Sequence, residues 1–112
     1  MATVKKIAEE LGLVVLAGAA ETDHEVKGGY IADLLSCVMA GAQPDQLWFT
    51  LQTHLNIVAV ASLLGIAAIV VTEGAVIPQE TIDKAEQEGI PLLLGTDPTF
   101  ETVVKLAKSG LL

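Results

Sequence analysis

The sequence contains no arginine: its six cationic side chains are all lysines, set against 14 carboxylates for a net charge of −8. Arginine supplies the planar fork that reads phosphate and guanine through paired hydrogen bonds, so its absence speaks against a nucleic-acid partner. The acidic balance also disfavours binding to an anionic membrane surface, and it favours solubility. Cysteine is almost absent. Cys37 stands alone in the apolar stretch from Leu34 to Met39, which excludes an internal disulfide and a cysteine metal cluster. It is expected to pack as a small buried hydrophobe. Two histidines among scattered acids form no metal-ligand pattern. There is no G-x-x-x-x-G-K-[ST], no G-x-G-x-x-G and no spacing that assembles Ser, His and Asp. The start of the chain has helical amphipathicity instead of the apolar core of a signal peptide. These absences point to a cytoplasmic protein with no catalytic machinery, no metal and no cofactor.

Apolar material, by contrast, is plentiful. The chain is 52% hydrophobic before its ten glycines are counted, against roughly 45–50% with glycine included in an ordinary soluble domain. In 112 residues, this means strands covered on both faces, or a surface buried by a partner. No linker or low-complexity run divides the chain, so a single domain over residues 1–112 is expected. The stretch from Leu55 to Val71 carries no charge and approaches the length of a membrane span. Asn56, Ser62 and Gly65 interrupt it, however, no lysine flanks it, and Ile66 to Val71 is a β-branched run. It reads as helix, turn and strand.

One unit recurs: an amphipathic helix, a glycine, then a short apolar strand. Thr3 caps a helix whose Val4, Ile7, Ala8 and Leu11 fall at i, i+3, i+4 and i+7. Gly12 stops it, and a strand follows from Leu13 to Ala17. The same order returns at Gly65 with a strand from Ile66 to Val71, and at Gly89 with a strand from Ile90 to Leu94. Leu47 to Leu51 reads as another strand, entered from the turn at Gln43-Pro44-Asp45. A helix with the stripe Ile31, Leu34, Leu35 and Val38 ends near Gly41. Pro78 occupies the first position of a polar helix that ends at Glu88. Asp97-Pro98 opens the last helix, with Phe100, Val103, Val104 and Ala107 facing inward. Short apolar strands alternating with helices predict an α/β fold, a three-layer sandwich with a mostly parallel central sheet flanked by helices.

In an open parallel sheet, ligands sit beyond the carboxyl ends of the strands. The residues following the predicted strands are Thr53, His54 and Asn56, then Thr72, Glu73 and Gly74, then Asp97 and Thr99. Each also has a plain structural reading: Thr53, Thr96 and Asp97 are good helix caps, and Gly74 turns the chain. His54, a mediocre cap, is either a ligand contact or a surface residue. Gly28 and Gly29 precede a predicted helix, where they serve either to bring backbone amides to an anion or to form a tight turn or close contact.

With these residues in hand, the chain resembles the DRTGG family. That family includes stand-alone members, modules joined to CBS domains or phosphotransacetylases, and the N-terminal domain of HPr kinase/phosphorylase. The resemblance runs over Lys27-Gly28-Gly29-Tyr30-Ile31-Ala32-Asp33-Leu34-Leu35, Trp48 through Gly74, and Ala85 through Thr99. The family is named for an Asp-Arg after one strand and a Thr-Gly-Gly after the next. Here the first reads Thr53-His54 and the second Thr72-Glu73-Gly74. Loss of the arginine removes the group best suited to grip a phosphate, and His54 in its place makes binding there pH-dependent. The resemblance implies a non-catalytic regulatory or accessory module, a homodimer, with a pocket for a small metabolite or nucleotide. The alternative is a structural subunit that docks onto a larger enzyme complex. A kinase activity is not carried over, because the likeness to HPr kinase/phosphorylase concerns the domain preceding its catalytic one.

Overall fold

Thr3 starts the first helix as its chemistry requires: its Oγ1 accepts a hydrogen bond from the Lys6 amide at 3.2 Å. Helix α1 (Val4–Leu11) buries Val4, Ile7, Ala8 and Leu11, the stripe set by its spacing. It ends at Gly12 with φ 68°, and Gly65 and Gly89 end two later helices in the same left-handed conformation, which costs glycine no Cβ clash. The computed structural model describes residues 2–112. Its strands are β1 (Val14–Ala17), β2 (Gly28–Ile31), β3 (Gln46–Thr50), β4 (Ala68–Val71) and β5 (Leu92–Leu94). Between and after them lie α2 (Leu35–Gly41), α3 (Asn56–Leu64), α4 (Gln79–Glu88) and α5 (Thr99–Ser109), with a short 3-10 turn at Ala19–Glu21.

The sheet order is β1-β5-β4-β3-β2. Strands β2 to β5 are parallel, and β1 pairs antiparallel with β5. The three strands expected to share a layer are therefore adjacent and parallel. Alternation along them splits the core. Trp48, Ile69, Val71 and Leu92 join Val38, Ile57, Val58, Ala61 and Ala85 of α2, α3 and α4 on one side. Leu47, Phe49, Val70 and Leu93 join Val4, Ile7 and Leu11 of α1 and Leu106 of α5 on the other. Because both faces are covered, the central strands are apolar at nearly every position. The result is the expected three-layer α/β sandwich.

The uncharged stretch resolves into α3, the Gly65 turn and β4, and no helix among the described residues is long and apolar enough to cross a membrane. Helix α3 is interior on one side only: Ile57, Val58, Val60 and Ala61 are buried, whereas Leu63 is 71% exposed.

Three expectations are corrected. Gly28 to Ile31, expected as the approach to a helix and its first stripe residue, is instead strand β2. Its strand character comes from pairing with β3, Tyr30 opposite Trp48 and Ile31 opposite Phe49, and local pattern does not encode that partner. Helix α2 consequently starts later, with Leu34 exposed and Val38 its only buried residue. Helix α5 is rotated from the expected stripe: Thr102 and Leu106 are buried and Phe100 is exposed. The Thr102 hydroxyl donates to the Pro98 carbonyl at 2.9 Å, so the hydroxyl is satisfied within the helix and can be buried at little cost. Cys37 is exposed, because short α2 seats only Val38 in the core.

Candidate functional site

The chain passes from β2 to β5 through α2, α3 and α4, all on one face of the sheet, and then crosses to the other face with α5. The loops leaving β4 and β5 therefore diverge toward opposite faces. Such a divergence between neighbouring parallel strands is where an open sheet forms a binding crevice.

Thr72, Glu73, Gly74, Asp97 and Thr99 all come to this divide. Thr72 is fully buried, and its hydroxyl shares a hydrogen bond with that of Thr99 in the first turn of α5 at 2.5 Å. The Glu73 amide donates to the Asp97 carbonyl, and the Gly74 amide to the Gly95 carbonyl, both at 2.9 Å. Glu73 Oε2 faces the Thr99 amide at 3.5 Å, which places a carboxylate at the positive end of the α5 dipole. Asp97 lies one residue before the α5 N-cap, Pro98, and its carboxylate pairs with Lys105 at 2.6 Å. A cleft of about 240 Å³ opens on the α1 side of this loop, with Gly12, Gly95, Thr96, Asp97, Thr102 and Lys105 along its walls. Two exposed apolar residues flank the divide: Val76 on the β4–α4 loop and Phe100 in the first turn of α5, 88% and 77% exposed.

The residues after β3 are held differently. The Thr53 carbonyl accepts from the Thr81 hydroxyl of α4 at 2.7 Å. His54 Nδ1 accepts from the Asn56 amide at 3.0 Å, so the imidazole caps its own helix and its Nε2 carries the proton when the ring is neutral. Gly28 and Gly29 lie at the amino end of β2, opposite Gln46 and Leu47, and the structure does not bring them to the other candidates. A Cβ on Gly29 would meet the Phe49 ring at 3.3 Å, which fits the close-contact reading of this glycine. Among the described residues, no three His, Cys, Asp or Glu side chains gather as a metal ion requires.

Sequence reasoning missed Asp33. Its carboxylate accepts from the Thr50 hydroxyl at 2.9 Å and the Leu51 amide at 2.8 Å, clamping the carboxyl end of β3 to the loop after β2. Had β2 been recognised, the same carboxyl-end rule that selected Thr72 would have selected Asp33. Lys105 was missed because it stands eight residues from Asp97, outside the i+3 and i+4 spacings that mark helical neighbours.

The backbone explains why two glycines suit the positions of Glu73 and Gly74, with φ 62° and 64°. A glutamate there bears a left-handed penalty of about 1–2 kcal/mol, partly offset by the chain entropy glycine would lose. Glu73→Gly is therefore expected to stabilise the domain by about 0.5–1 kcal/mol and raise Tm by roughly 3 °C. A fall in Tm in thermal unfolding would show instead that the carboxylate contact with α5 outweighs the strain.

No family model and no curated protein matches this sequence. Among solved structures, the chain is similar to the CBS and DRTGG domains of the regulatory region of a Clostridium perfringens pyrophosphatase, complexed with its activator diadenosine tetraphosphate. The TM-score is 0.77 at 14% identity, over 96% of this chain and 47% of that one, so the chain spans about half the length of that neighbour. At this identity the likeness establishes architecture: the chain has a DRTGG-like fold.

Proposed function

We propose that this chain is a non-catalytic regulatory module that binds a compact, nucleotide-like metabolite at the divide between the β4–α4 and β5–α5 loops. The observation that carries the reading is the hydrogen bond between buried Thr72 and half-buried Thr99 at that divide, with Val76 and Phe100 exposed on its two loops. Polar groups beside exposed apolar side chains suit a ligand of mixed polarity. With no arginine in the chain and Glu73 at the α5 N-terminus, the ligand is held more through sugar and base than through phosphate. Glu73 accepts from a ribose hydroxyl, and Phe100 offers a ring face to a base. The pyrophosphatase regulatory region supports this reading, since its DRTGG-containing structure holds an adenine dinucleotide activator.

The test is an amide-shift titration with adenosine, AMP and diadenosine tetraphosphate. Shifts are expected at Thr72, Glu73, Gly74, Asp97 and Thr99, with a tenfold weaker affinity in Thr72→Val, equivalent to about 1.4 kcal/mol. His54→Ala decides whether the β3 loop takes part: a tenfold loss brings Thr53, His54 and Asn56 into the site. If none of these compounds moves the Thr72 amide, the chain is better read as a structural subunit of a larger complex.

The module acts as a homodimer in this reading. Leu63, Ile31 and Leu34 are 71%, 57% and 64% exposed, and apolar residues left in water commonly mark contact surfaces. Light scattering at micromolar concentration is expected to return twice 11.7 kDa. A monomer mass removes this part of the proposal.

A further inference from the structure

Strand β1 ends the sheet, paired on one side with β5 and open on the other. Natural edge strands are guarded by charge, proline or a covering element. The β1 sequence Val14-Val15-Leu16-Ala17 has neither charge nor proline, and Val14 and Val15 are 56% and 36% exposed. The register irregularity against β5 falls between Val15 and Ala17, beyond these two valines. Beside this edge lies a groove of about 580 Å³. One wall is Lys5, Ala8 and Glu9 of α1, and the floor is Leu13 and Val15. The segment Ala19–Asp23 closes one end.

We propose that β1 accepts an extended, basic segment of a partner protein, which adds to the sheet as a sixth strand. A strand laid along β1 satisfies the open backbone edge, and its alternate side chains point toward α1 and fill the groove. The charge of the partner follows from the rim. Among the described residues, Glu9 and Asp23 line the groove against Lys5 as its one cation, and the chain as a whole carries a net charge of −8. A segment alternating lysine or arginine with aliphatic residues matches both the acidic rim and the apolar floor. A second copy of this chain matches less well, since each copy brings the same acids and a net charge of −8. The edge is separate from the β4–β5 divide, so this inference does not rest on the ligand reading.

The test uses fluorescein-labelled synthetic peptides of about eight residues, alternating Lys or Arg with Val, Ile or Leu, titrated into the full chain at about 0.15 M salt. Saturable binding is expected, with amide shifts over Leu13–Ala17. Replacing the basic residues by glutamate is expected to weaken it at least tenfold. N-methylation of alternate peptide amides is expected to abolish it, because the charge is kept while the strand hydrogen bonds are lost. Val15→Lys, at a partly exposed position that tolerates the side chain, is expected to lose at least tenfold in affinity with an unchanged far-UV spectrum. The inference is overturned by absence of saturable binding up to about 1 mM, or by equal affinity for the N-methylated peptide. It is overturned equally by shifts confined to another surface, or by a β1-mediated dimer that Val15→Lys converts to monomer.

Discussion

Trp48→Ala is expected to remove about 4 kcal/mol of stability, a large share of the roughly 5–15 kcal/mol that holds a domain of this size. Trp48 is fully buried on β3, between β4 and β2, with its ring on the side of α2, α3 and α4. Two losses add. Truncation leaves a cavity that surrounding strands, held in register on both sides, cannot collapse to fill. It also strips the Ala32 carbonyl of the indole Nε1–H that donates to it at 2.8 Å, an unmade bond worth about 1–3 kcal/mol where water cannot replace it. With a urea m-value of about 2 kcal/mol/M, the unfolding midpoint falls by about 2 M. Far-UV circular dichroism is the suitable probe, since the substitution deletes the only tryptophan. Trp48→Phe keeps most of the volume and loses the hydrogen bond, and is expected to cost about half as much. A midpoint lowered by less than about 0.5 M in Trp48→Ala would contradict this account of the core.

Gly18→Ala is expected to cost about 2–5 kcal/mol, for a reason that sequence inspection does not reveal. Gly18 has φ 72°, and a Cβ there would stand 2.5 Å from the Ile90 carbonyl carbon and oxygen and from the Pro91 nitrogen. These are backbone atoms at the entry to β5, so no side chain can swing aside. Their displacement adds an overpacking cost of about 1–3 kcal/mol to the left-handed penalty of about 1–2 kcal/mol. The Gly18 amide also donates to Glu86 Oε1 at 3.0 Å, which ties the same turn to the end of α4. Gly12→Ala is the control: its φ is 68°, but nothing lies within 4 Å of the added methyl. It should show the backbone penalty alone, about 1 kcal/mol or slightly more. Urea unfolding of the two variants separates the effects, and equal midpoints would show that β5 yields to the intrusion.

Cys37, Phe100 and His54 show where sequence pattern stops being informative about the site. Their neighbours in the chain mix polar and apolar residues, and each position admits a buried or an exposed placement. Cys37 is exposed because α2 is short and presents only Val38 to the core. Phe100 is exposed because Thr102 hydrogen-bonds within α5 and takes the inward position with Leu106. His54 is committed to its own helix by a 3.0 Å bond from the Asn56 amide. In each case the outcome depends on which competing group reaches the core or the amide first in space.

The sequence by itself determined the alternation of helix, glycine and apolar strand, and with it the α/β class and the parallel neighbours β3, β4 and β5. Periodicity and stop signals are local properties, carried by residues three to four apart on a helix and by single glycines at its end. It also determined that Thr72, Glu73, Gly74, Asp97 and Thr99 follow strands, which is enough to place them at one edge of a parallel sheet. Only the tertiary structure decided that Gly28–Ile31 is a strand, because its partner β3 lies some twenty residues away in the chain. Likewise, only the fold decided that α5 crosses to the face opposite α4. That choice follows from the area each face leaves to be covered: three helices already lie on one side and α1 alone on the other. It opens the divide between β4 and β5, and it leaves Thr53, His54 and Asn56 on the β3–α3 loop, which turns to the same face as the β4–α4 loop and so forms no divide with it.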